Sequence, residues 1–310
     1  MGSKGGARAF IYPQLSRWDF GVVRLFGPGL ANLLFPWARA ICVAERVGLG
    51  VLWPTWPQLK VGPLLRREPD SRTYANLFAP TARYITGFRK LKLLSSARRV
   101  QLGQSNISMP SLRGPDLVVV DGLDGWFEPL ARSHALVRSE LIAITRPAIL
   151  KSVDFSSRAK IGVHVRLGDF ATSYKSDRPA QYFNTRIDLA WYADVVVQIR
   201  KAVGPLPLEI YSDGQDDELK PLLQLPSASR VNTGTSLGDM LSLSSAGVII
   251  GSRSSFSMWA AFLANGISFW YPGKETQIFA SGSQEFVVER PETYDMPAQR
   301  IVDSIAAHGS

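Results

Sequence analysis

The chain has a single cysteine, Cys42, and three histidines in 310 residues. One cysteine excludes a disulfide within the chain and a zinc site built from cysteines. His134, His164 and His308 show no metal-ligand spacing. Long apolar runs are missing too: no window reaches about 18 uninterrupted apolar residues. Behind Lys4 and Arg8 there is no continuous apolar segment, so neither a cleaved signal nor a spanning helix is expected. A soluble protein in a reducing compartment is the simplest reading of this usage. Neither G-x-G-x-x-G nor a P-loop lysine signature occurs, so a phosphate is not expected on a dinucleotide-binding turn. A D-x-D carboxylate pair is also lacking, which argues against a metal-held diphosphate.

Negative charge is the scarcer sign. Thirty-five Lys and Arg face 26 Asp and Glu, a net charge of +9. That balance suits an anionic partner or surface, such as a nucleotide-sugar, an acidic glycan or a phospholipid face. The basic residues are spread out (Arg66-Arg67, Arg89-Lys90-Lys92, Arg98-Arg99) with no polybasic tail, so a dedicated nucleic-acid binder is not expected. Hydrophobic residues are 45% and charged residues 20% of the chain, a globular composition with room for two domains.

The most informative stretch is Lys160 to Phe170, KIGVHVRLGDF. Ile161, Val163 and Val165 alternate as a buried strand does, and Leu167-Gly168-Asp169 follows as a turn. His164 and Arg166 stand two apart, on one face of that strand. A guanidinium and an imidazole before a glycine turn suit an anionic ligand. The plain alternative is an Arg166–Asp169 ion pair beside a satisfied core histidine.

Around this stretch the second half alternates strands with helices. Strands are predicted at 161–166, 208–211, 231–233, 248–250 and 267–271. Helices are predicted at 187–203, 216–223, 236–244 (capped by Ser236, with Asp239 in its first turn) and 256–264. Such alternation predicts a parallel α/β sheet, whose ligands sit at the carboxyl ends of its strands. Arg166, Gly168, Asp169, Ser212, Asp213 and residues 252–255 all fall at such ends. Ser254, Ser255 and Phe256 also open a helix, where free N–H groups receive anions.

The first half is less legible. A short run at 9–12, a helix over 32–47 after the Gly27-Pro28-Gly29 turn, strands at 49–53 and 117–120 and a helix over 133–149 are predicted. Asn32 stands at the start of the first helix, a position open to an anion. The loop from Asp121 to Phe127 reads as a plain turn or a sugar-binding loop. Residues 60–115, with Tyr74, Phe78, Tyr84 and Phe88 among basic residues, read as a covering layer or a basic acceptor face. Lys151 to Lys160 is polar and reads as a linker, giving domains at 1–155 and 156–310.

Three segments together resemble one family. His164-Val165-Arg166-Leu167-Gly168-Asp169 resembles the H-x-R-x-G-D motif of the α-1,2-fucosyltransferases, glycosyltransferase family 11. Leu237 to Leu243 and Gly251 to Ala261 resemble that family's D-x-x-L-(L/M)-(S/T) and S-(S/T)-F-(S/G)-x-W-(G/A)-A stretches. Gly29 to Phe35 is similar to its N-terminal G-L-G-N-Q-L-F stretch. Ala31, Leu33 and Leu167 depart from the pattern.

The resemblance implies a GT-B fold, two Rossmann-like α/β domains facing a cleft. It implies inverting transfer of L-fucose from GDP-fucose to a glycan hydroxyl, α-1,2 to galactose, without cofactor or divalent metal. It places Arg166 on the donor diphosphate, His164 and Asp239 near the guanine, Ser254 and Ser255 facing the diphosphate, and Asn32 toward the donor from the other domain. Ser212 and Phe256 are further candidates for donor binding. No residue matches a catalytic base; Asp169 and Asp177 are the candidates. A cytoplasmic, polysaccharide-building enzyme of bacterial type is expected, working at the inner membrane face; the positive charge and aromatic content of residues 60–100 favour an acceptor that is lipid-linked or anionic. The alternatives are a transferase using another nucleotide-sugar and a non-catalytic nucleotide- or glycan-binding protein on the same scaffold.

Overall fold

The computed structural model describes residues 9–59, 73–102, 115–168, 186–272 and 284–307. The chain forms two compact units, Met1–Pro147 and Ala148–Ser310. The sequence-based boundary at 155/156 falls inside the second unit, between the helix Pro147–Leu150 and the next strand.

The first unit is built on a five-stranded sheet. Strands β1 (Phe10–Pro13), β4 (Gly50–Leu52), β6 (Tyr84–Ile85), β7 (Arg99–Gln101) and β8 (Leu117–Val120) lie in the order β6-β4-β1-β8-β7. Every pairing is parallel. β1 and β8 are wholly buried, as strands covered on both faces must be. A smaller sheet joins β2 (Trp18–Asp19), β3 (Arg24–Leu25) and β5 (Gln58–Leu59). The helix Leu30–Val47 crosses from β3 to β4 and ends at Gly48, whose φ of 73° is the left-handed cap that glycine accepts without strain.

The second unit carries a six-stranded sheet. Its strands are β9 (Ile161–Val165), β10 (Leu208–Ser212), β11 (Ala228–Arg230), β12 (Val248–Gly251), β13 (Ile267–Trp270) and β14 (Gln284–Val287). The order is β11-β10-β9-β12-β13-β14, again parallel throughout. Ile161, Val163, Ile210 and Ile250 are fully buried beneath Trp191, Val195 and Ile199 of the helix Leu189–Val203. Thus β9 sits third of six, and its carboxyl end opens where the order turns from β10 to β12.

Several sequence expectations shift. The strand expected at 231–233 is β11, three residues earlier, because an edge strand is set by its pairing with β10 rather than by an apolar pattern. The helix expected over 133–149 stops at Ile144, and Pro147 starts a separate short turn of helix. The cap of the helix Ser236–Ser244 is Thr235, not Ser236: Thr235 accepts from the Gly238 N–H at 3.0 Å.

Candidate functional site

The carboxyl end of the second unit's sheet collects the residues that can do chemistry. His164 is the fourth residue of β9 and is buried. Arg166 follows immediately after the strand, with a quarter of its side chain exposed. Its Nη1 lies 2.8 Å from Asp213 Oδ2. The Asp213 carboxylate also accepts the N–H groups of Leu167 at 2.8 Å and Gly168 at 3.2 Å. One carboxylate from the β10 end therefore holds both the guanidinium and the turn behind it. A Cβ on Gly168 would fall 2.5 Å from Asp213 Oδ2, so any larger residue there displaces this carboxylate.

Opposite, β12 runs into the helix Ser255–Ala264 through Ser252, Arg253 and Ser254. Ser254 caps that helix, its Oγ accepting from Ser257 N at 3.3 Å. Ser255 is the first helical residue, so its N–H belongs to the unsatisfied first turn. His164 Nδ1 lies 2.6 Å from Ser257 Oγ, 2.8 Å from Ser252 Oγ and 3.5 Å from Ser254 Oγ. Ser257 Oγ also accepts from Ser252 N at 3.1 Å, which ties this hydroxyl to the start of the loop. Phe256 stacks on the imidazole at 4.6 Å and 28°. Burial is the main force pushing His164 down to about 3; Arg166 adds to it and Asp213 opposes it. The ring is therefore neutral at physiological pH, a donor and acceptor rather than a cation.

Ser212 ends β10 and turns inward to accept from Gly214 N at 3.0 Å. Asp239 lies in the first turn of the helix Ser236–Ser244. Its Oδ1 accepts from Thr233 N at 2.7 Å and Thr233 Oγ1 at 2.8 Å. Burial raises its carboxyl above the ordinary range, against those two hydrogen bonds. It is close enough for its charge to act on Tyr211, which pairs with His164 across β10 and β9.

The structure thus brings together His164, Arg166, Ser212, Ser254, Ser255 and Phe256, with Asp239 one strand away. Asp169 and Asp177 lie outside the described residues. Asn32 belongs to the first unit, in the first turn of the helix Leu30–Val47. Its N–H reaches Gly29 O at 3.1 Å, and its Oδ1 is buried without a hydrogen-bond partner among the described residues. Sequence reasoning missed two roles. Ser257 is the hydroxyl nearest His164 Nδ1, and its place in the S-S-F-S run was the only signal. Asp213 orients Arg166, and only its position at a strand end pointed that way. In the first unit the Asp121 to Phe127 loop is closed by Arg39, which donates to the carbonyls of Asp121, Gly122 and Asp124. Among the described residues, no group of three or more His, Cys, Asp or Glu is placed to hold a metal ion.

Two parallel α/β units, with a charged site at the carboxyl ends of one sheet, define the class: a GT-B-type glycosyltransferase fold. The crystal structure of POFUT1 in complex with GDP shares it at TM-score 0.52 and 11% identity, over 92% of this chain and 99% of that one. NodZ alpha-1,6-fucosyltransferase soaked with GDP-fucose aligns at TM-score 0.49 and 18% identity, over 84% and 93% of the two chains. Fucosyltransferase NodZ from Bradyrhizobium aligns at TM-score 0.47, also with 18% identity, over 84% and 94%. No curated protein matches the chain in sequence. Residues 130–272 match the model of Glycosyl transferase family 11. That stretch contains β9 to β13 and every site residue of the second unit.

Proposed function

We propose that the chain is an inverting fucosyltransferase that moves L-fucose from GDP-fucose to a hydroxyl of a glycan acceptor, α-1,2 to galactose, without a metal. The observation that carries this reading is the pairing, at one sheet end, of an oriented guanidinium (Arg166 on Asp213) with a serine-capped helix start at Ser254 and Ser255. Supporting it are the family 11 match over the same residues and the GDP-bound and GDP-fucose-soaked relatives named above.

In this mechanism the acceptor oxygen attacks C1 of the fucose from the face opposite the diphosphate. The C1–O bond to the β-phosphate breaks, and its electron pair leaves with GDP. Negative charge grows on the diphosphate as this happens. Arg166 and the first-turn N–H groups at Ser255 and Phe256 are the groups that stabilise that charge. A neutral His164 adds no charge of its own and holds Ser252, Ser254 and Ser257 in register. Asp239 lies toward the guanine, and Ser212 is a further donor contact. The acceptor proton passes to a carboxylate, for which Asp169 and Asp177 stand as candidates.

The test is thermal stability with GDP, GDP-fucose, GDP-mannose, UDP and UDP-glucose, each with and without chelator. A ligand that binds only the folded state raises its melting point by mass action. A guanine-selective, chelator-insensitive rise is expected, with fucosylated product formed from GDP-fucose and a galactoside. A uridine-selective or chelator-sensitive rise overturns the donor assignment. GDP binding with no turnover on any acceptor leaves a binding protein in its place.

A further inference from the structure

The first unit exposes an aromatic face that its own fold does not use. In β2 and the turn after it, Trp18, Phe20 and Val22 are 56%, 56% and 61% exposed. Beside them runs the amphipathic helix Gly87–Ser96, whose outermost side chain, Phe88, is 83% exposed. Tyr74, Phe78 and Tyr84, by contrast, are buried, so the aromatic spacing of this region is mostly core and Phe88 is the exception.

The two segments form one surface. A Cβ at Gly21 would come within 2.8 Å of Leu94 and 3.0 Å of Leu91, so the turn lies flat on the helix. Beneath them Lys90 is buried, donating from Nζ to Gly21 O at 2.6 Å and to Thr55 Oγ1 at 3.1 Å. Phe20, Phe88 and Leu91 line, with Tyr12, Gln14 and Arg99, a cavity of about 620 Å³. Lys90 thus pins the turn from below, while the aromatic rings point outward.

The charge around this face has one sign. Residues 16–28 and 84–101 carry seven Arg and Lys against a single acid, Asp19; of the seven, Arg24 and Lys90 are buried and Arg98 pairs with Asp116. Asp19 is half-buried and turned inward, accepting from Tyr12 Oη at 2.6 Å and Gly21 N at 2.9 Å. Arg17, Arg89, Lys92 and Arg99 are exposed around the rings. Exposed rings gain by entering the interfacial layer of a bilayer, and a basic rim is drawn to anionic headgroups. A protein partner would have to be both acidic and apolar over the same small area, whereas an anionic bilayer presents those two properties everywhere.

We propose that the face formed by the turn at Trp18 to Val22 and the helix Gly87–Ser96 docks on an anionic lipid bilayer. This does not depend on the donor assignment, and its readout is separate from nucleotide binding. The experiment is flotation of the full chain with phosphatidylcholine vesicles, with and without phosphatidylglycerol, over a range of salt. Binding is expected only with phosphatidylglycerol, weakening as salt shortens the Debye length below about 10 Å. Phe88→Ser and Trp18→Ser are each expected to lower binding about tenfold, and Arg89→Glu with Lys92→Glu by tenfold or more. Phe155→Ser, an exposed phenylalanine of the second unit, serves as the control and leaves binding unchanged. Unchanged melting temperatures show that the variants fold. Equal binding to phosphatidylcholine alone overturns the proposal, as does anionic binding insensitive to the variants. Self-association that Phe88→Ser abolishes, without vesicle binding, assigns the face to a second copy instead.

Discussion

Replacing Arg166 with alanine separates a catalytic from a structural role because the two differ in size. The Arg166–Asp213 pair is partly exposed, at 25% and 30% of the two side chains. Pairs of that exposure contribute roughly 0–1 kcal/mol to stability. Asp213 also keeps its hydrogen bonds from Leu167 and Gly168, so its carboxylate is not left bare. For a unit of this size, such a loss lowers the melting temperature by about 2–4 °C at most. A preorganised donor aimed at developing negative charge is worth about 3–4 kcal/mol in the transition state, or 10²–10³ in rate. Arg166→Ala is therefore expected to cut transfer by roughly two to three orders of magnitude while the fold is nearly intact. Arg166→Lys recovers only part, because a point charge replaces a fork that Asp213 orients. The assay is initial-rate transfer of labelled fucose from GDP-fucose, beside a melting curve of each variant. Transfer within about tenfold of wild type would refute the role. So would a loss of activity that tracks a fall in melting temperature of tens of degrees.

The remaining expectations are more local. His164 is held near 3 in the folded chain against an ordinary 6.5, so the unfolded chain takes up a proton first as the pH falls. Its contribution to stability is complete above about 6.5 and is lost on acidification toward 3, and urea melts of wild type and His164→Gln should converge across that window. Gly168→Ala drives a methyl into the Asp213 carboxylate; GDP affinity should fall with little change in melting temperature, and an unchanged affinity would remove this turn from the site. Thr235→Ala removes the cap on Gly238 N–H and should cost about 1 kcal/mol in denaturant unfolding, whereas Ser236→Ala should cost a few tenths. Trp259→Ala empties a fully buried ring position and should cost about 3–5 kcal/mol, enough to lower soluble yield.

What the sequence determined by itself is whatever a short segment can encode. The central strands β1, β8, β9, β10, β12 and β13 are short, mostly buried and mostly apolar, and they were legible because a strand covered on both faces is largely apolar. The placement of Arg166 and Ser254 at strand ends followed from the same alternation. In the two larger sheets, the strands that went unread or were misplaced, β6, β7, β11 and β14, are the four edges; β2, β3 and β5 of the small sheet, two residues each, also went unread. β7, β11 and β14 are largely exposed or half-buried, so their composition reports solvent and their existence rests on a neighbour's hydrogen bonds.

Only the tertiary structure decided the partners. Leu167 and Asp213, 46 residues apart, meet because β9 and β10 pair in parallel and end together. The neutrality of His164 depends on burial, with Phe256, Ser252 and Ser257 from two later elements closing over the ring. In the first unit, the flat contact of the Trp18 to Val22 turn on the helix Gly87–Ser96 turns scattered aromatic and basic residues into one face. Local periodicity fixes which residues are apolar and extended or helical, but a charge's partner and a ring's solvent are properties of contacts between segments that no short window contains.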